Sequence, residues 1–357
     1  MKILILKFRH IGDVLLMTPL LRNLKSIYPE SIIDVAVNSG TEEMLTNNPN
    51  ISSCIVYERS DKYNRNKLLK IFKEIKFFSQ FYSKQYDMVI NLTEGDRGGI
   101  ISKISMAKIR IGYPSKNFIL RNTYTHYMSY QEKQHIVDIN LEALKTLNLP
   151  IRDKKVQIFW NEKDEKFIEE EVKDLKGFIH IHPVSRWSFK TISDNTMAEI
   201  IDFCMNDLKK EVIVTSGPAI KEIKQVERIL SKCSSNPKNY SGNLSLKKVS
   251  ALNNKADMFI GVDTAVMHIS AANDIPVLAF FGPSGAKNWG PWDNNIGSTQ
   301  YKKINGIQRM GLHTVMSESR VCQPCGKDGC NGSKISDCLM SLNLEEIKRE
   351  VQKILSR

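Results

Sequence analysis

Short runs of apolar and β-branched residues alternate along this chain with longer stretches whose apolar positions recur every three or four residues. A strand signal followed by a polar or glycine-containing turn and then a helical period is the pattern of parallel βα units. It occurs in two blocks. In the first, the pattern predicts strands over residues 2–8, 32–37, 54–57, 88–92 and 109–113, and helices over 14–27, 66–83 and 135–149. Residues 150–155 are polar, charged and break the helical period, so they read as a linker. The second block predicts strands over 178–181, 211–215, 258–262 and 277–280, with helices over 162–175, 195–207, 219–231, 265–273 and 344–355. Two doubly wound α/β domains facing a cleft follow, since such sheets bind ligands at the carboxyl ends of their strands. No internal repeat of short period is visible, which sets a solenoid aside.

The chain has 357 residues, enough for roughly two domains. Lys and Arg exceed Asp and Glu by 51 to 39, a net charge of +12 that suggests an anionic partner. No apolar stretch approaches the roughly 20 residues of a membrane-spanning helix. The apolar run after Ile3 is interrupted by Lys7, Arg9, His10 and Asp13, so no export signal is visible. Seven cysteines form an odd set, and four of them crowd near the end of the chain, which fits retention in a reducing cytoplasm.

Candidate chemistry sits in the turns after predicted strands. Phe8-Arg9-His10-Ile11-Gly12-Asp13 leads into a helix with a single glycine, so it is not a dinucleotide fingerprint. Asp13 reads either as a first-turn carboxylate favoured by the helix dipole or as a general base. The loop His182-Pro183-Val184-Ser185-Arg186-Trp187-Ser188-Phe189-Lys190 offers two cations and two hydroxyls, the groups that hold a diphosphate, or else a solvated basic loop. At Gly261-Val262-Asp263-Thr264-Ala265 a strand passes into a helix whose first N–H groups suit an anion, with His268 one turn further on as ligand contact or packing residue. Cys322, Cys325, Cys330 and Cys338 begin with a C-x2-C pair and can close a structural zinc site, or remain buried thiols or disulfides. Lys67, Lys70, Lys73 and Lys76 punctuate an apolar helix rich in Phe, which reads as a core helix with a solvated face or as a basic amphipathic helix lying on an anionic membrane.

The stretch Phe8-Arg9-His10-Ile11-Gly12-Asp13-Val14-Leu15-Leu16-Met17-Thr18-Pro19, with Gly261-Val262-Asp263-Thr264-Ala265-Val266-Met267-His268 and Phe281-Gly282-Pro283-Ser284-Gly285, closely resembles the ADP-heptose:lipopolysaccharide heptosyltransferases of glycosyltransferase family 9. The tail Cys325-Gly326-Lys327-Asp328-Gly329-Cys330 is most similar to the heptosyltransferase III branch. The resemblance implies a GT-B fold: an acceptor-binding Rossmann-like domain over 1–150, and a nucleotide-sugar-binding one over 151–342 that includes the Cys-rich segment 322–338. It also implies a terminal helix, 343–357, packing back on the first domain. Implied too is inverting transfer of heptose from ADP-heptose to the lipopolysaccharide inner core, with no metal or other cofactor required for catalysis.

By the same resemblance Asp13 matches the base. Lys190, Ser185, Arg186, Asp263, Thr264, Ala265 and His268 match the donor and diphosphate contacts. Gly217, Glu222 and Leu244 match the nucleoside side, and Arg9, His10 and Gly12 the acceptor side. Where heptosyltransferase I has paired threonines, this chain has Val184 and Ser185. The basic surplus then answers to lipid A phosphates and the inner face of the cytoplasmic membrane rather than to nucleic acid. The alternatives are a sister enzyme using another nucleotide sugar or acceptor, and a non-catalytic nucleotide- and metal-binding module.

Overall fold

The computed structural model describes residues 1–58, 67–129 and 134–357, without the side chains of Lys67 and Lys70. The chain divides into two units, one of residues 1–132 and 136–156, the other of 133–135 and 157–357. The boundary falls a few residues beyond the predicted one. Asn23 receives the Arg152 N–H at 2.7 Å and donates to the Asp153 carbonyl at 2.6 Å, which ties the predicted linker to the first unit.

The first unit is built on a parallel sheet of β1 (Lys2–Lys7), β2 (Ile32–Asn38), β3 (Ser53–Tyr57), β4 (Met88–Asn91), β5 (Ile109–Gly112) and β6 (His126–Tyr127), in the order β3-β2-β1-β4-β5-β6. β1 is continuous in Ile and Leu because both of its faces are covered: Ile3, Leu4, Ile5 and Leu6 are all fully buried. The helices are α1 (Ile11–Leu15), α2 (Thr18–Ile27), α3 (Lys67–Ser83), α4 (Asp96–Ile104) and α5 (Ile136–Thr146). α2 packs with α5, and α3 with α4. Leu4, Leu6 and Phe8 form one core layer with Phe81 of α3 and Ile101 of α4.

Two predictions fail here. The helix predicted over 14–27 is broken between α1 and α2, because Pro19 lacks an N–H and fits the first turn of a new helix better than the interior of an old one. α4, with two glycines among its nine residues, was not predicted. Gly98 is a close-packing position, where any side chain would overlap the Asn91 amide.

In the second unit the sheet runs β12-β13-β11-β10-β7-β8-β9. Its strands are β7 (Phe178–His182), β8 (Glu211–Val214), β9 (Lys238–Asn239), β10 (Met258–Val262), β11 (Val277–Phe280), β12 (Gln308–Met310) and β13 (His313–Met316), all parallel except the β12–β13 hairpin. The helices are α6 (Glu162–Val172), α7 (Asp194–Asp202), α8 (Ile220–Leu230), α9 (Leu246–Asn253), α10 (Ala265–Ala272), α11 (Ala286–Trp289), α12 (Asp337–Met340) and α13 (Leu344–Leu355). The expected return of the terminal helix to the first domain is corrected. α13 lies against α7, and its apolar stripe of Ile347, Val351 and Ile354 belongs to the same core as Ile181, Val212 and Ile260.

Candidate functional site

In the first sheet the strand order reverses between β1 and β4, and the crevice outside their carboxyl ends is where such sheets take ligands. β1 delivers Arg9, His10 and Asp13 to that edge, and β4 delivers Thr93, Glu94 and Arg97. The Phe8 N–H donates to Thr93 Oγ1 at 2.9 Å, and Arg9 pairs with Glu94 at 3.7 Å, so the two loops are joined. Asp13 is buried in the first turn of α1, and its Oδ2 accepts from the His10 N–H at 3.3 Å. The capping role weighed for Asp13 is therefore real, and it leaves the second carboxylate oxygen outside that bond. Arg9 and His10 are exposed at the rim beside Gly12.

Two residues here escaped the sequence reading. Lys7, at the end of β1, is buried and donates to Asn140 Oδ1 at 2.9 Å. Burial lowers its pKa to about 8, with Asp13 pulling it up and Arg9 pushing it down. Arg97 lies over the Tyr57 ring at 3.9 Å and donates to its hydroxyl at 3.0 Å. The signal for Arg97 was available, as a cation in the turn after a predicted strand.

In the second sheet the reversal falls between β7 and β10. The loop after β7 carries Ser185, Arg186 and Lys190, and β10 runs into Asp263, Thr264 and α10. Lys190 Nζ donates to Asp263 Oδ2 at 2.6 Å, and Ser284 Oγ donates to the same oxygen at 2.5 Å. Burial raises the Asp263 pKa, but Lys190, Ser284 and nearby His268 outweigh it and hold the carboxyl below its ordinary range. Ser284 lies in the Phe281–Gly285 stretch that carries the family resemblance, where nothing local marks it as a partner of Asp263.

Thr264 caps α10 in extended backbone, yet its hydroxyl makes no cap bond. Its Oγ1 and the His268 Nδ1 are buried without a hydrogen-bond partner. Burial lowers the His268 pKa to about 3, with Asp263 opposing and His135 and Lys190 assisting, so the ring is neutral. Ala265 opens the helix, where the unpaired first-turn N–H groups favour an anion.

Ser185 is buried and accepts from the Trp187 N–H at 3.2 Å, while Arg186 is exposed, 5.2 Å from the Trp187 ring. The Gly217 N–H donates to Glu222 Oε2 at 3.1 Å. Burial raises the Glu222 pKa against the lowering pull of Gly217, Arg186 and Lys221. The Gly242 N–H reaches the Ser216 carbonyl at 3.3 Å, and Leu244 follows two residues later, partly buried. Behind this edge His182 and His180 share Thr215 Oγ1 at 2.9 and 2.7 Å, and His180 reaches Asn253 Oδ1 at 2.6 Å. Both rings are neutral, burial taking them to about 3 and about 4.

The cysteine cluster does not close. All four thiols are free, Cys322 and Cys325 are exposed, and Cys338 is buried, its thiol pushed up to about 11 by burial and by the neighbouring Cys330, Cys325 and Cys322. Among the described residues no three His, Cys, Asp or Glu side chains converge to hold a metal, so of the readings open for these cysteines the four-thiolate zinc site is not assembled.

Two doubly wound units, each presenting charged groups at its strand-order reversal, have the architecture of the GT-B fold. Residues 75–309 match the model of glycosyltransferase family 9 (heptosyltransferase), and the chain belongs to that family. It is 28% identical to lipopolysaccharide heptosyltransferase 3 of Escherichia coli over 295 residues, 81% of this chain and 85% of the relative. Among solved structures it is similar to a family 9 glycosyltransferase from Veillonella parvula, with a TM-score of 0.80 at 20% identity over 99% of this chain and 97% of that one. It is likewise similar to E. coli ADP-heptose lipopolysaccharide heptosyltransferase II, with a TM-score of 0.76 at 16% identity over 100% and 99%. Family membership sets the non-catalytic module aside.

Proposed function

We propose that this enzyme transfers heptose from ADP-heptose to the inner core of lipopolysaccharide, as a heptosyltransferase of the III type working at the anionic cytoplasmic face of the inner membrane. The observation that carries the donor half is the Lys190–Asp263–Ser284 cluster at the start of α10, with the Thr264 hydroxyl and the His268 Nδ1 left without partners beside it. A ligand bearing a diphosphate would find there one fixed cation, a helix N-terminus, and two buried polar atoms to satisfy. Ser185 and Arg186 add a hydroxyl and a guanidinium from the neighbouring loop, and Gly217, Glu222 and Leu244 line the side toward the nucleoside.

The acceptor hydroxyl gives its proton to the Asp13 carboxylate as its oxygen bonds to the anomeric carbon of the heptose. The bond from that carbon to the diphosphate oxygen breaks on the opposite side, which inverts the centre. ADP departs with the electron pair, and its developing charge is met by Lys190, Arg186 and the α10 N–H groups. Arg9, His10 and Gly12 border the acceptor.

Calorimetric titration with ADP-heptose, against UDP- and GDP-sugars at one ionic strength, tests the donor. Selective binding of ADP-heptose is expected, and preference for another nucleotide sugar would overturn the named reaction while keeping the site. Asp13→Ala is expected to lose turnover by at least about a hundredfold with donor binding nearly intact, whereas Lys190→Ala weakens both. Unchanged turnover in Asp13→Ala removes Asp13 from the chemistry.

A further inference from the structure

α3 is anchored by only part of its length. Phe77 meets the Tyr57 ring edge-on at 4.8 Å and Phe81 at 5.2 Å, and Phe81 is fully buried. The helix nevertheless exposes Leu68, Ile71, Phe72 and Ile75, at 79%, 55%, 64% and 60% of their surface, with Leu69 at 42%. At about 100° per residue, positions 68, 71, 72 and 75 share a stripe roughly 100° wide, turned well away from the one that holds Phe77 and Phe81. A helix that serves only the core carries polar residues there.

The stripe has company. α4 packs against both α3 and the single turn at residues 118–120, whose Phe118 and Ile119 are 86% and 72% exposed. Lys73 and Lys76 are exposed on α3 itself, Lys103 on α4 donates to the Ile119 carbonyl at 3.3 Å, and Lys116 and Arg121 flank the turn. Of the nearby acids, Glu74 accepts from the Tyr57 hydroxyl, while Asp96 accepts at 3.3 Å from the amide of Asn117, which caps the turn.

We infer that the outer face of α3, with the turn at Phe118 and Ile119, is a docking surface that inserts into an anionic lipid bilayer. Aromatic and aliphatic side chains bordered by lysines are matched to acyl chains beneath negative headgroups, and a chain of net charge +12 is drawn to such a surface before any insertion. A second protein copy would meet the same cations and be repelled by them. The inference rests on the proposed reading only in that a lipid-anchored acceptor gives this docking its use.

Full-length protein is sedimented with vesicles of phosphatidylethanolamine and phosphatidylglycerol, and with vesicles of phosphatidylcholine alone. The comparison includes Phe72→Ser/Ile75→Ser and Lys73→Glu/Lys76→Glu, whose sites are exposed, so their thermal midpoints should match that of the parent. Binding to the anionic vesicles is expected to exceed that to phosphatidylcholine and to fall about tenfold or more in each variant. Turnover on a soluble, deacylated acceptor should be unchanged in both variants, and turnover on vesicle-embedded acceptor should fall with binding. Equal vesicle binding by parent and variants, no binding at all, or a parent dimer that the variants dissolve would each overturn the docking surface. Absence of heptose transfer to the soluble acceptor by every protein, with vesicle binding still lost in the variants, would instead overturn the reaction and leave the surface standing.

Discussion

Lys7 shows what a single position contributes beyond its place in a strand. It ends β1 as an ammonium enclosed by protein, bonded to Asn140 Oδ1 at 2.9 Å, with Asn140 in turn donating to the Leu16 carbonyl at 3.0 Å. Burial lowers its pKa from 10.5 to about 8. Between those values the unfolded chain keeps a proton that the folded chain has released, so stability rises with pH across that window. Below about 8 the full cost of the buried charge is present, about 3 kcal/mol from the shift alone. Lys7→Met removes the titrating group. Denaturant unfolding at pH 7.5 and pH 10 should show the parent gaining about 2 to 3 kcal/mol relative to the variant, and parallel behaviour of the two would refute the buried charge. In the sequence Lys7 registers only as a break in an apolar run. Nothing local tells a buried lysine from one at the solvent edge.

Elements with a clear apolar run or helical period were legible, down to the four residues of β11, and those without were not. β1, β2, α3, α8 and α13 fall within a residue or two of their predicted bounds, because a continuous apolar run or an i, i+3, i+4 stripe survives any tertiary context. β6, β9, β12 and β13 have two to four residues each and carry no period at all. For α13 the existence was legible and the destination was not, since an amphipathic stripe says that a helix packs and not against what. Its placement makes a test. Ile347 is fully buried in the core shared with α7, so Ile347→Ala should cost about 2 to 5 kcal/mol. Hydrogen exchange should accelerate in residues 194–202, with α2 of the first unit protected as before. Loss of protection in α2 instead would return the helix to the first unit.

For the molecule as a whole, the loops that the sequence singles out share one position in the fold: each follows a strand beside an order reversal, β1 with β4 and β7 with β10. What stayed hidden were groups brought in from far along the chain, Ser284 to Asp263 and Asn253 to His180, since no spacing encodes a contact between loops. The same enclosure divides the two units by acid sensitivity. His180, His182, His268 and His313 all lie buried in the second unit, held neutral by burial at pKa values of about 4, 3, 3 and 4 against 6.5 when unfolded. Below pH 6.5 the unfolded state binds protons that the folded state refuses, so stability is full above that pH and is lost steadily toward 4. At pH 5 a histidine buried in this way withdraws on the order of 2 kcal/mol, a substantial share of the about 5 to 15 kcal/mol that holds a typical domain. The first unit has a different device. Burial pushes the Asp34 pKa up, but Ser53, Tyr86 and Lys84 outweigh it and hold the carboxyl low, so its contribution persists until the ordinary carboxylate range is reached. Hydrogen exchange at pH 7 and pH 5 should therefore show β7 and β10 losing protection while β1 and β4 keep theirs, with donor binding lost in parallel with the second unit. Equal protection of both sheets at pH 5 would mean that the four rings accept protons in place, and that the polar chain through Thr215 and Asn253 opens to water more readily than its burial implies.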